Sequence, residues 1–208
     1  MKDTFFITGI GTDVGKTIVS AILVEALEAD YWKPIQAGEL GNSDSLMVER
    51  LVSNSKTKFH KSAFNLETPM SPHAAAEIDG VEIKRNKVKR PTTKNSLVVE
   101  GAGGLLVPLN DKETVLDLLK PSDRVIVVSR HYLGSINHTL LTIEMLKQRK
   151  LEIFGIMFNG DENKTSEDII VKMTGTPILG RIDDEPYFDK NVVKEYAENF
   201  KNEFTRKR

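Results

Sequence analysis

The 208 residues contain no cysteine. That excludes disulfides and thiol chemistry, and it suits a reducing compartment. The chain also lacks a charge excess. Its 29 Lys+Arg stand against 30 Asp+Glu, so nothing in the net charge of −1 calls for nucleic acid or an anionic membrane. No apolar run approaches the roughly 20 residues needed to span a bilayer. Met1-Lys2-Asp3-Thr4 leads straight into an apolar run, which reads as no signal peptide. Internal repeats, low-complexity tracts and linkers are missing as well. The expectation is a soluble cytoplasmic protein in which residues 1–208 form one domain. A hydrophobic content of 39% suffices for a sizeable core.

What is present is organised around Thr8-Gly9-Ile10-Gly11-Thr12-Asp13-Val14-Gly15-Lys16-Thr17. Phe5-Phe6-Ile7 before it reads as a strand, and Ile18 to Leu27 after it reads as a buried helix. A glycine-rich loop between strand and helix is the context that makes Gly-Lys-Thr a phosphate-binding loop. Glycines let backbone N–H groups turn inward around an anion, and the helix adds its free N–H groups and positive dipole end. Lys16 would reach the β- and γ-phosphates, and the Thr17 hydroxyl would bind Mg²⁺. The loop is a variant: five residues, not four, separate Gly9 from Gly15, and Ile10 stands where the first glycine is expected.

Downstream, β-rich apolar runs alternate with helical patterns. Strands are expected at Thr4–Thr8, Tyr31–Ile35, Ser96–Val99, Arg124–Ser129, Ile153–Phe158 and Pro177–Leu179. Helices are expected at Lys16–Ala29, Asp44–Ser53, Val115–Leu119, Ile136–Arg149, Ser166–Met173 and Asn191–Phe204. Continuously apolar runs such as Val125-Ile126-Val127-Val128 suit strands buried on both faces. The fold class expected is therefore α/β, of the P-loop NTPase type: a doubly wound, mainly parallel sheet with helices on both faces. Ligands then bind beyond the carboxyl ends of the strands.

The unusual motifs fall at those ends. Lys33, in Trp32-Lys33-Pro34-Ile35-Gln36-Ala37-Gly38, is either a second cation for a transferring phosphoryl group or an edge-strand lysine in water. Asn42-Ser43-Asp44-Ser45 opens a helix, so Asp44 is either a cap or a Mg²⁺ ligand. Val98-Val99-Glu100-Gly101-Ala102-Gly103-Gly104 places an acid at a strand end before a glycine turn, the position of a Mg²⁺-holding carboxylate in P-loop enzymes. A tight turn with a solvent carboxylate is the alternative. Pro72 suits a first helical turn with Ser71 as cap, and His73 beside them reads as structural or catalytic. Leu133-Gly134-Ser135-Ile136-Asn137-His138 enters a helix whose free N–H groups would hold a carboxylate or simply be capped. Asn159 reads a nucleotide base or starts an Asn-Gly turn. The basic run Lys84, Arg85, Lys87, Lys89, Arg90 and Lys94 has no interleaved aromatics and reads as a solvated connection.

The ordered set GTDVGKT, WKPIQAG, NSD, PMSPH, VVEGAGG and LGSINH, from Thr8 to about Gly160, resembles the dethiobiotin synthetase family of biotin biosynthesis. The resemblance implies ATP- and Mg²⁺-dependent ring closure of 7,8-diaminopelargonate with CO₂, through a carbamate and a carbamic–phosphoric anhydride. Carried over by position, it implies Lys16 and Lys33 as catalytic cations and Thr12 as a substrate and carbamate contact. Thr17, Asp44 and Glu100 become Mg²⁺ ligands. Asp13, Val14, Gly15, Lys16, Thr17 and Ile18 would wrap the triphosphate, with Glu100, Gly101, Ala102 and Gly103 beside it. It further implies a homodimer in which Gly134, Ser135, Ile136 and Asn137 hold the substrate carboxylate from the partner subunit. Asn159 with Gly160 would contact the base. Three places depart from the family pattern, one of them the short connection between the first helix and Trp32. Ala37 stands where relatives carry a hydroxyl at the substrate, and Arg181-Ile182-Asp183-Asp184-Glu185-Pro186 differs from the usual base loop, leaving Asp183 and Asp184 as its base contacts.

Two other classes are weighed against this one. A partition-type ATPase switch would carry an extra lysine early in the variant loop, where Gly9-Ile10-Gly11-Thr12 has none. A cobyrinate-type amidotransferase would need a nucleophilic cysteine.

Overall fold

The computed structural model describes residues 2–205. Seven strands form one parallel sheet in the order β4-β2-β6-β1-β7-β8-β9. They are β1 (Thr4–Gly9), β2 (Asp30–Trp32), β4 (Phe59–His60), β6 (Leu97–Gly104), β7 (Arg124–Arg130), β8 (Glu152–Asn159) and β9 (Ile178–Ile182). A second, two-stranded parallel sheet pairs β3 (Ile35–Ala37) with β5 (Phe64–Leu66). The helices are α1 (Lys16–Leu27), α2 (Asp44–Leu51), α3 (Pro72–Ile78), α4 (Ser135–Gln148), α5 (Lys164–Thr174) and α6 (Lys190–Phe204).

Side chains alternate across the central strands, as a pleated strand requires. Phe5, Ile7 and Val98 enter a core with α1, α2 and α6 residues such as Ile22, Val48 and Val193. Phe6, Leu97 and Val99 enter a second core with Trp32, Ala75, Ile83 and Val115. Both faces of the sheet are covered, which is why these strands read as unbroken apolar runs. Packing is tight at the β8–β9 side: a methyl group on Gly155 would lie 2.5 Å from Leu179 Cγ and 2.9 Å from the Pro177 carbonyl. Gly155→Ala is expected to destabilise the fold by about 1–3 kcal/mol. A urea midpoint unchanged from the parent would contradict that.

Four expectations are corrected. Tyr31–Ile35 is not one strand: it breaks at Lys33-Pro34, and the chain passes from the large sheet (β2) to the small one (β3). Pro34 has no N–H for a ladder and holds the preceding residue extended, so the ladder stops there. Glu100 to Gly104 do not form a turn; they continue β6, with Glu100 opposite Ile7 and Gly104 opposite Gly9. Val115–Leu119 is only a short 3₁₀ turn, Val115–Leu118. Ser71 precedes α3 without a side-chain cap bond, its Oγ lying 3.1 Å from His73 Nδ1 instead.

The basic run is a connection with its charges largely exposed or paired. Lys84 pairs with Glu82 at 2.7 Å, and Arg90 reaches the fully buried Asp123 with Nη2–Oδ2 2.8 Å. Among the described residues, no helix is long and apolar enough to cross a membrane.

Candidate functional site

The order β2-β6-β1 brings three motifs distant in sequence to one end of the sheet. The glycine-rich loop follows β1, Lys33 follows β2, and Glu100 lies within β6. They line a cavity of about 750 Å³ together with Thr12, Asp13, Ile18, Ala37, Asp44, Ala102, Gly103 and Asn159.

The loop is shaped by Gly15 and tied by Asn159. Gly15 begins α1 at φ +96°, and a Cβ there would lie 2.4 Å from Asn159 Nδ2, so only glycine fits. Asn159 Nδ2 donates to the Val14 carbonyl at 3.1 Å, tying the loop to the end of β8. Asp13 also takes a left-handed conformation, φ 55°. Lys16 folds back to donate to the Gly11 carbonyl at 2.8 Å. Burial pushes its ammonium down to about 8; the Glu100 carboxylate resists the drop and the Lys33 charge adds to it.

Lys33 is the centre of the cluster. It is 5% exposed, so the edge-strand alternative is overturned. Its Nζ lies 2.5 Å from Asp44 Oδ2 and 2.9 Å from Glu100 Oε1. Burial alone would lower its pKa, but Glu100 and Asp44 outweigh burial and the net direction is upward. Asp44 is pulled both ways: burial raises its carboxyl, while the Lys33 charge and hydrogen bond lower it further, leaving it below its ordinary value. Thr17 Oγ1 lies 2.9 Å from both Asp44 Oδ1 and Glu100 Oε1, which share its one O–H. Asp44 is placed by α2, whose first turn Ser43 caps by accepting from Leu46 N. Its own N–H is held by Gln36 Oε1 at 3.3 Å.

Thr17, Asp44 and Glu100 thus converge three hard oxygen donors beside a phosphate loop. That donor set fits Mg²⁺, which takes one or two carboxylates and leaves its remaining positions to phosphates and water. Among the described residues no group of three His, Cys, Asp or Glu forms a fuller metal cage.

The other expected residues fall elsewhere. Gly101 packs under the Phe6 ring, and Val14 is buried behind the loop. Gly160, at φ 93°, lies beneath the Asp184 carboxylate, which faces Arg130 Nη2 at 3.4 Å. Asp183 N–H donates to Tyr196 Oη at 3.1 Å. Gly134 precedes α4 and Ser135, Ile136 and Asn137 form its first turn; none of the four lines this chain's cavity. Sequence reasoning missed Arg130, Gln36, Met47 and the Pro69–Pro72 segment as cavity walls. Arg130 ends a strand as the other motifs do, and that position was the one available signal.

A family model described as an AAA domain matches residues 3–192. The ATP-dependent dethiobiotin synthetase of Christiangramia forsetii is 62% identical over 201 residues, 97% of each chain. The enzyme of the same name from Cytophaga hutchinsonii is 51% identical, covering 93% of this chain and 94% of its own. The chain belongs to the dethiobiotin synthetase family. The family is one of ATP-dependent ligases in biotin biosynthesis. In fold it is similar to the cell division ATPase MinD of Pyrococcus furiosus, with TM-score 0.62 at 15% identity over 97% of this chain and 99% of that one. A ParA family ATPase of Chlorobium tepidum gives TM-score 0.58 at 12% identity, covering 95% and 98%. At such identities the likeness is one of fold alone, and it confirms the P-loop α/β architecture of this chain.

Proposed function

We propose that the chain carries out ring closure of 7,8-diaminopelargonate with CO₂ and ATP, giving dethiobiotin, ADP and phosphate, with residues 1–208 acting as one P-loop domain. The observation that carries this reading is the meeting of Lys16 and Lys33 with three oxygen donors in one cavity. The reaction gathers negative charge at a carbamate and a transferring phosphoryl group, and preorganised cations stabilise such charge most effectively in a water-poor site.

In this reading one substrate amine adds CO₂ as a carbamate, which Thr12 and Lys33 orient. A carbamate oxygen attacks the γ-phosphorus, and the bond from that phosphorus to the ADP oxygen breaks. Lys16, the loop N–H groups from Asp13 to Ile18 and Lys33 hold the phosphoryl oxygens during transfer. The second amine then attacks the carbamoyl carbon, the carbon–oxygen bond to phosphate breaks, and the amine gives up a proton. Thr17, Asp44 and Glu100 would hold Mg²⁺, which when bound supplies further charge neutralisation on the phosphates. Ala102 and Gly103 flank the triphosphate, while Asn159, Gly160, Asp183 and Asp184 flank the base. Ala37 lies against the substrate without the hydroxyl expected there.

The reading also includes a homodimer. Leu106, Leu133 and Leu141 are exposed, and Leu106 and Leu141 border an apolar groove that reaches Thr12. Contiguous exposed apolar surface of this kind suits an interface. The Gly134–Asn137 turn of a second copy would then supply N–H groups to the substrate carboxylate. Sedimentation at assay concentration should give a two-chain mass; a single-chain mass in active protein would remove this part.

The deciding assay incubates the protein with diaminopelargonate, bicarbonate, Mg²⁺ and ATP, each omitted in turn, and reads dethiobiotin by mass spectrometry. Product is expected only in the complete mixture. ATP hydrolysis that proceeds equally without diaminopelargonate would refute the proposal.

A further inference from the structure

Tyr31 is 0% exposed, in β2, with its ring 6.0 Å from that of Phe59. On packing grounds a phenylalanine would serve equally. A buried hydroxyl costs free energy unless it is bonded, and this one meets the Glu100 carboxylate, with the Ser45 hydroxyl also beside it. Tyr31 Oη donates to Oε2 of Glu100 at 2.9 Å. The other oxygen of that carboxylate, Oε1, receives Thr17 Oγ1 and Lys33 Nζ, both at 2.9 Å.

The two oxygens of Glu100 are therefore divided between two environments. Oε1 faces the cavity with Thr17 and Asp44, while Oε2 faces the core and is tied to the phenol. A carboxylate held at one oxygen cannot rotate freely to offer both, so the cavity-side oxygen keeps one direction.

We infer that Tyr31 is a positioning residue that fixes Glu100 as a one-oxygen ligand for the divalent cation of the nucleotide. The inference rests on the reading of Glu100 as a Mg²⁺ ligand. Mn²⁺ serves as the probe, with free Mn²⁺ followed by electron paramagnetic resonance in the presence of ADP. Tyr31→Phe is expected to weaken Mn²⁺ binding about tenfold, the lower end of what loss of an outer partner does to a metal site. Metal-free ADP binding should stay unchanged. In a Glu100→Gln background the same substitution should have no further effect. Wild-type Mn²⁺ affinity in Tyr31→Phe, with Glu100→Gln weakened, would overturn the inference alone. An equal loss in the Glu100→Gln background would also overturn it, by exposing a general loosening. Wild-type affinity in Glu100→Gln would remove the ligand reading and the inference together. Because Tyr31→Phe deletes a buried bond, 3-fluorotyrosine at position 31 provides a second variant that retains every heavy atom of the phenol. A Mn²⁺ affinity indifferent to that change in donor strength would again overturn the inference.

Discussion

Lys33→Met is expected to lower turnover by two to three orders of magnitude while leaving nucleotide affinity within a few-fold. The ammonium is aimed by two carboxylates, Asp44 at 2.5 Å and Glu100 at 2.9 Å, so its position is fixed before substrate arrives. A charge fixed in advance costs no reorganisation when the phosphoryl group transfers. Removal of one such group typically costs about 10²–10³ in kcat. Lys16 and the loop N–H groups remain to hold the triphosphate, so the loss should appear in kcat rather than in nucleotide binding. Steady-state kinetics decide the matter, and near-parental kcat would refute the role.

The same substitution should also weaken the ligand-free protein. Lys33 neutralises Asp44 and the almost fully buried Glu100. Breaking a buried pair by removing one partner costs about 3–5 kcal/mol, because the other charge stays buried and uncompensated. Addition of Mg²⁺ should therefore raise the melting temperature of the variant more than that of the parent. Equal shifts would mean that Asp44 and Glu100 do not share the metal site.

How far the sequence disclosed all this depends on which forces act locally. Val125 to Val128 and Leu97 to Val99 were legible as central strands because both faces are buried and nothing polar interrupts them. The loop at Gly15-Lys16-Thr17 was legible because its backbone requirements are met within a few residues. Glu100 to Gly104 misled: a glycine run usually turns, but here the glycines let β6 lie close to neighbours, with Gly101 under the Phe6 ring and Gly104 opposite Gly9. Only the position of β1 creates that need. The Lys33-Pro34 break was signalled by the proline, yet the apolar residues on either side masked a change of sheet. Tyr31 carried no signal, since an aromatic in a strand reads as core and its hydroxyl finds Glu100 only once β2 and β6 are paired. The cluster of His131, Glu167 and Arg181, with contacts of 2.9 and 2.5 Å to Glu167, joins residues far apart in the chain. No spacing rule announces it.

The second large effect concerns pH. Above about pH 8, ADP binding should take up close to one proton per site, and its affinity should fall by about tenfold for each further pH unit. The group responsible is Lys16, which burial holds at about 8 rather than 10.5. At neutral pH it is already charged, and binding moves no proton there. Above 8 the free protein has lost that proton, while phosphates beside the amine favour its return, so binding must recruit it from solvent. For stability the sign is reversed. Below pH 8 the folded state carries a buried charge and the penalty is fully present. Between 8 and 10.5 the unfolded chain binds more protons than the folded one, so through Lys16 the ligand-free protein gains stability as pH rises. Titration calorimetry in buffers of differing ionisation enthalpy, at about pH 7 and about pH 9, measures the uptake directly. Lys16→Met should abolish it and bind ADP poorly at both. Uptake that persists in Lys16→Met would transfer the effect to another group. Lys33 is not a candidate for that group: its two carboxylates raise its pKa, so it keeps its charge through the range in which Lys16 loses its own. The alkaline fall in affinity therefore separates the two lysines of one cavity by the company each keeps.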